Sequence, residues 1–411
     1  MIDHLFRHQY GKMISVLIRI FGLSHLETIE DAVQDTFALA MVKWRDQVPD
    51  KPEAWLMKAA KNRAIDLLRK IKADHNRLQK LDSGPSVMTL DNLFLEHEIE
   101  DSQLRMIFTA CHPGLHPKDQ ITFALRTIAG FSTKEIASAL LLKNETIKKR
   151  LARARKAIRE KGILFRLPHA SELRTRLERV HEVLYLIFNE GFHSNHKELL
   201  IRKDLCGEAI RLTQMVLKKK ELRTGSGYAL FGLMCFHASR LESKVSETFE
   251  SISLKHQDRS KWFRPLIQLG HDSMNKSMEY SDHSVYHIEA AIAVQHLRAR
   301  SFETTDWEKI LKLYNQLYTF QKDPLILLNI AIVLIQLEQN DQALALLDQI
   351  NPADLEQRAY LYYGVKSEYY QNIGHIQQAI SYLDQALENV SNSVEKQYIL
   401  KKRTLLSGTL N

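Results

Sequence analysis

The chain has 411 residues, 45% of them hydrophobic and 26% charged, which is enough for two or three domains with ordinary cores. Its three cysteines, Cys111, Cys206 and Cys235, stand far apart and imply no disulfide framework. The first residues lack a basic-then-apolar leader pattern and no apolar run is long enough to cross a bilayer, so a cytoplasmic protein without a membrane partner is expected. The net charge of +8 is unevenly held: residues 1–162 carry 27 Lys/Arg against 20 Asp/Glu, a net of +7, whereas residues 163–411 carry 30 against 29, a net of +1. A polyanion partner is expected for the front part alone.

Helical periodicity dominates, no useful strand alternation appears, and glycine and proline are sparse, which predicts an all-α fold. A first helical domain is expected over 1–72. In its "IEDAVQDTFALAMVKW", residues 29–44, Ile29, Val33, Phe37, Met41 and Trp44 form one stripe, while Asp31, Gln34 and Asp35 gather opposite. An acidic and amide face is repelled by DNA and suits a protein partner. After the loop "RDQVPDKP" comes "EAWLMKAAKNRAIDLLRK", with Leu56, Ala60, Ala64, Leu67 and Ile71 as its buried stripe. Lys58, Lys61, Asn62 and Arg69 fall on the far side. Aromatic rings beside a basic helix suit unpaired bases, although Trp44, lying on its stripe, reads better as a core anchor than Trp55 does.

An acidic connector is expected over 73–101. From Leu81 to Leu104 six acidic residues occur (Asp82, Asp91, Glu96, Glu98, Glu100, Asp101) and no Lys or Arg, so either a DNA-repelling tether or a plain disordered spacer fits. A second small helical domain is expected over 102–162. Its loop "CHPGLHP" offers Cys111, His112 and His116, and "GFHSNH" offers His193 and His196; without a distant partner cluster neither makes a zinc site. Ser132 and Glu135 form a capping box, and Asn144 is placed to cap the next helix. That helix buries Ile147, Leu151, Ala154 and Ile158 and turns Lys149, Arg153 and Lys156 away, flanked by Glu145 and Lys148. From Lys143 to Lys161 there are nine Lys/Arg and two Glu. A helix-turn-helix needs this arrangement, with early residues at base edges and later cations near phosphates. A solvated amphipathic helix is the plainer alternative.

Residues 168–411 read as a long helical array. Near its end, Ala343, Leu347 and Ile350 align with Ala379, Leu383 and Ala386 at an offset of 36, and Ile310 lies 33 before Ala343. Periods near 34 with small residues at helix crossings resemble tetratricopeptide (TPR) helix pairs, generic helical hairpins being the alternative. No P-loop, Gly-rich dinucleotide turn, nucleophile elbow or HExxH is present, so no enzyme activity, cofactor or metal is expected.

"YGKMISVLIRIFG…EDAVQDTFALAMVKW…PEAWLMKAAKNRAIDLLRK" resembles region 2 of a bacterial RNA polymerase sigma factor, and "FSTKEIASALLLKNETIKKRLARARKAI" resembles region 4. Their order and spacing are similar to the extracytoplasmic-function class, which lacks region 3. "VLYLIFNEGF", "DLCGEAIRL" and "HQDRSKWF" further resemble a subgroup with a long helical, TPR-like C-terminal extension.

The resemblance implies partners and roles. The helix carrying Asp31, Gln34, Asp35 and Phe37 would dock on the β′ coiled coil of core RNA polymerase, with the β subunit also engaged. Lys58, Lys61, Asn62, Arg63 and Arg69 would hold the melted −10 element of promoter DNA. Glu145, Thr146, Lys148 and Lys149 would read −35, with Arg153, Arg155 and Lys156 nearer phosphates. The linker would occupy a basic channel of the polymerase, and the extension would regulate the module or receive a signal from a protein partner or ligand. A helix-turn-helix activator with a TPR-like partner-binding domain is the alternative reading.

Overall fold

The computed structural model describes residues 2–45, 48–76, 95–140, 142–193, 201–246 and 251–408. It is all-α: among the described residues there are eighteen α-helices and no β-strand, only one isolated antiparallel bridge between Val245 and Ser251.

Helix α1 (Ile2–Phe21) buries Tyr10, Met13, Ile14, Leu17 and Ile18, the three- and four-residue spacing of one helix face. Helix α2 (Leu26–Lys43) buries Ile29, Val33, Phe37 and Ala40 and is followed by buried Trp44. Met41, expected on that stripe, is exposed instead. Each four-residue step drifts about 40° round a helix of 3.6 residues per turn, so three steps from Ile29 carry Met41 well off the core and Ala40 takes its place. Helix α3 (Pro52–Asn76) opens on a proline, tolerated at a first helical position. It buries Leu56 and Ala60 and half-buries Leu67. The side chains of Ala64 and Ile71 lie outside the described residues, as do Asp82 and Asp91 of the expected connector.

Helix α4 (Glu96–Ala110) begins before the expected start of the second domain. Four of the six connector acids are therefore helical, and Glu96 and Glu98 sit in a first turn, where the helix dipole favours them. Arg19 of α1 pairs with Glu98 at 2.5 Å and Asp101 at 3.4 Å. These residues are anchored and do not belong to a tether. Helices α5 (Pro117–Thr127), α6 (Thr133–Ala139) and α7 (Asn144–Glu160) follow, then α8 (Ala170–Phe192) and α9 (Lys203–Lys218).

The chain divides into two compact units, residues 1–188 with 207–222, and residues 189–206 with 223–411. The division departs from the boundary expected near 168. Arg176 of α8 donates to the Phe108 carbonyl of α4, Arg211 of α9 donates to Gln103 Oε1 at 3.3 Å, and Lys218 pairs with Glu100 at 2.7 Å. Most of α8 and α9 thus completes the first unit.

The second unit stacks α10 (Gly225–Ala238), α11 (Arg264–Ser277), α12 (Val285–Arg298), α13 (Trp307–Phe320), α14 (Pro324–Gln336), α15 (Asn340–Leu347), α16 (Ala359–Asn372), α17 (Ile376–Asn389) and α18 (Ser393–Gly408). Consecutive helices pack as hairpins, α14 on α15 and α16 on α17. The aligned repeat positions Ala343, Leu347, Ala379, Leu383 and Ala386 are fully buried, because a small residue lets paired helices approach closely.

Candidate nucleic-acid interface

Two surfaces of the first unit carry the residues singled out by sequence. The first is a groove of about 540 Å³ between α2 and α3, lined by Asp35, Leu39, Lys43, Trp55, Lys58, Asn62 and Arg63 among others. On α3, Trp55, Lys58, Asn62, Asp66 and Arg69 recur at three- and four-residue steps and share one face. Trp55 meets buried Trp44 edge-to-face at 5.3 Å between ring centroids, so Trp44 anchors the floor while half-buried Trp55 borders the groove. Lys58, Asn62 and Arg69 are exposed and Lys61 is half-buried at the side. Arg63 pairs with Asp35 across the groove at 2.7 Å, their side chains 49% and 60% exposed. Arg69 lies 3.9 Å from Asp66 one turn back.

The acidic face of α2 is real: Asp31, Gln34 and Asp35 are exposed together. Phe37 is not part of it. Its ring is 4% exposed and packs edge-on against Phe6 at 4.7 Å, because it lies on the same stripe as Ile29 and Val33. Sequence reasoning missed the exposed apolar continuation of that face, Leu39, Met41 and Val42, and missed Lys43. Counting angles forward from Asp31 would have found Val42, which returns within about 20° of it at 100° per residue with Leu39 and Met41 about 80° to either side; Lys43, about 120° away, carries no such signal.

The second surface is on α7. Ser132 N donates to Glu135 Oε2 at 2.8 Å and Glu135 N to Ser132 Oγ at 3.2 Å, so the capping box forms and starts α6. The expected Asn144 cap does not form: Lys143 occupies the cap position, and Asn144 Oδ1 is buried without a hydrogen bond. Ile147, Leu151, Ala154 and Ile158 are buried. Glu145, Lys148, Lys149, Arg153 and Lys156 are exposed on the opposite side, joined by Arg159, which the sequence reading passed over; Thr146 is half-buried at the flank. Arg153, though exposed, pairs with buried Asp119 of α5 at 2.8 Å.

Arg155 corrects the sequence expectation. It lies only about 40° round the helix from Leu151 and turns inward, its Nη2 at 2.5 Å from buried Glu30 of α2 and its Nη1 at 3.6 Å from Glu27. It is half-buried and joins α7 to α2 through these two pairs, where the resemblance placed it near a phosphate. The histidines of "CHPGLHP" accept backbone hydrogen bonds, His112 Nδ1 from Gly114 and His116 Nδ1 from Lys118, and burial pushes the Cys111 thiol up to about 12. Among the described residues no group of three His, Cys, Asp or Glu is placed to hold a metal ion; His196 lies outside them.

An anchored helix-turn-helix with a basic outer face, beside a small bundle with an acidic helix and a basic, aromatic-bordered groove, defines a two-part DNA-binding module. Comparison with known proteins agrees. Sigma-70 region 2 matches residues 5–73, sigma-70 region 4 matches 105–158, and a family of unknown function (DUF6596) matches 176–278. An uncharacterised protein of Rhizobium meliloti is 31% identical over 393 residues, covering 94% of this chain and 91% of that protein. The ECF RNA polymerase sigma factor SigE of Mycolicibacterium smegmatis is 25% identical over 178 residues, 41% of this chain and 63% of that factor. No solved structure matches. The chain thus carries sigma-70 regions 2 and 4, in that order, ahead of the DUF6596 match, and is similar along most of its length to the Rhizobium protein.

Proposed function

We propose that this chain is a cytoplasmic sigma factor of the extracytoplasmic-function type that binds core RNA polymerase and directs initiation at its own promoters. The observation that carries the reading is the pairing of two basic helical faces, on α3 and α7, within regions 2 and 4 of one chain. Asp31, Gln34 and Asp35, extended by exposed Leu39, Met41 and Val42, form the polymerase-docking face of α2. A charged patch running into an apolar one suits a partner helix, because the carboxylates orient the encounter and the apolar residues supply the buried area. Lys58, Lys61, Asn62, Arg63 and Arg69 attend the −10 element, with Trp55 at the groove edge available to stack an extruded base. Extrusion costs a few kcal/mol, which stacking of about 1–3 kcal/mol per base helps to offset. Glu145, Thr146, Lys148 and Lys149 read −35, and Arg153, Lys156 and Arg159 lie against phosphates.

The helical array, TPR-like in its repeat period, regulates the sigma module or takes a signal from a partner. Its near-neutral charge and its own core, separate from the module's, support a protein-binding or sensing role. Purified protein is added to core polymerase and a library of promoter fragments. Discrete transcripts that require the added protein and no other sigma factor are expected; transcripts that appear only when a housekeeping sigma factor is present would replace this reading with that of an activator.

A further inference from the structure

We propose that the second unit holds a binding site for a small organic anion with a flat apolar body. The site is a cleft of about 800 Å³, within the roughly 300–1,000 Å³ of pockets that enclose one small molecule. It names the class of signal that the helical array takes, and only that signalling role rests on the sigma-factor reading. Residues at three- and four-residue steps on packed helices form the walls, among them Trp307, Ile310 and Tyr314 of α13 and Asn329, Val333 and Gln336 of α14. Rings gather at one end: Phe302 and His296 each meet Trp307 edge-on, at 4.9 and 5.5 Å between centroids. Such an end accepts a flat apolar group.

The charge around the cleft is one-sided. Its lining carries Lys255, Lys401 and Lys402 against one carboxylate, Glu368, which accepts from Gln336 Nε2 at 3.3 Å. Behind the His296 wall stand two guanidiniums. Arg259 donates to the His296 and Ala299 carbonyls at 2.5 and 2.9 Å and lies 4.6 Å over the Trp262 ring. Arg240 meets His237 Nδ1 at 3.2 Å and stands 5.2 Å over the Phe192 ring. Carbonyls and rings thus hold both cations, whereas Arg126 and Arg155 of the first unit share the Glu30 carboxylate. Of the other acids nearby, Glu303 is exposed and Glu289 lies near Tyr314.

Two buried polar atoms beside the cleft lack a hydrogen-bond partner, Arg259 Nη2 and His296 Nδ1. A buried cation without a counter-ion is costly, because neutral dipoles replace only part of its hydration. A bound anion supplies the missing charge through the cleft wall, where a low dielectric lets the two guanidiniums act without touching it. Burial, followed by Arg240 and Arg259, lowers His296 to about 4, so at neutral pH it faces the cleft as an uncharged ring. The lysines of the lining meet the anion directly, while the rings and Val333 shed water around its body.

The test titrates the full chain with the dye anilinonaphthalene sulfonate, a flat aromatic anion, and with its uncharged counterpart phenylnaphthylamine. One saturable site is expected for the anion, about tenfold tighter than for the neutral dye. Trp307→Phe is expected to lower the emission transferred from tryptophan to the bound dye. Lys255→Glu and Lys402→Glu, both outside the core, are each expected to weaken the anion about tenfold and to leave the neutral dye unchanged. Ile332→Trp, which fills the cleft, is expected to exclude both dyes. Failure of the anion to bind, equal affinity for the two dyes, or folded lysine variants that bind the anion as the wild type does overturns the proposal. Displacement of the dye by an acidic peptide but by no small aromatic carboxylate overturns it too, in favour of a protein partner. A chain that binds the dye and gives no transcript with core enzyme defeats the sigma-factor reading and leaves the site standing; the reverse result defeats the site alone.

Discussion

Arg155 and Lys156 are neighbours in sequence and point to opposite sides of α7: the first reaches inward to Glu30, the second outward to solvent. Lys156→Ala is expected to weaken promoter binding about uniformly across sequences and lower the salt-dependence slope by about one, measured by titration at several salt concentrations. Lys149→Ala is expected instead to relax selectivity at −35, with mismatched sites gaining relative to the cognate one in a competition assay. On α2 the same distinction separates Asp35 from Phe37. Phe37→Ala is expected to cost about 3–5 kcal/mol of stability, seen as a lower melting temperature, because it empties a space beside Phe6. Asp35→Arg is expected to leave the melting temperature nearly unchanged and to abolish capture by immobilised core polymerase. Asp31, Gln34, Asp35, Lys149 and Lys156 were legible as outward residues from angle alone, and so was the place of Phe37 on its helix's buried stripe, which the role implied by the resemblance overrode. Arg155, at the edge of a buried stripe, was not read by angle at all, because the resemblance supplied its role.

At the scale of elements, the capping box and the helix it opens could be read directly, since Ser132 and Glu135 need only each other. The start of α4 was hidden because the acids at its head look like a solvated spacer until Arg19, far away in sequence, supplies their partner. The end of the first unit was hidden for the same reason. No local signal says that Arg176 will donate to the Phe108 carbonyl, or that α9 will return to α4. A chain ended at Gly162 would strip this cover from α4 and expose Phe108 and Cys111. It is expected to melt well below a chain ended at Leu222, and differential scanning calorimetry of the two checks this. A loss of transcription on truncation at Gly162 would therefore mix regulation with stability, whereas truncation at Leu222 separates them.

At the scale of the whole molecule, the charge split along the sequence anticipated which part carries the two exposed basic helix faces, but net charge near zero concealed strongly perturbed groups in the second unit. Lys244 is 8% exposed, donates to the Phe192 carbonyl at 2.7 Å and lies 3.5 Å over the Phe192 ring; burial, followed by the nearby Arg240, lowers it to about 7. Burial likewise drives His193 and His237 well below the usual imidazole range and His296 to about 4. For all of these the unfolded chain holds the proton at a higher pH than the folded one. Stability of the second unit is therefore expected to rise with pH across the imidazole window, from about 4 to 6.5, and again from about 7 towards 10.5 as Lys244 discharges. Calorimetric melts at pH 5, 7 and 9 should climb in that order, and Lys244→Met should remove the rise between 7 and 9.

The bridge from Asp35 to Arg63 crosses one groove, and it joins a carboxylate of the face proposed to dock on the polymerase to a cation proposed to hold the −10 element. While the two hold each other, the guanidinium is partly neutralised and its grip on a phosphate or an unstacked base is blunted. On the proposed roles, a partner that claimed Asp35 would release Arg63 for DNA, so the capacity to seize an opened promoter would arrive together with the enzyme that transcribes it.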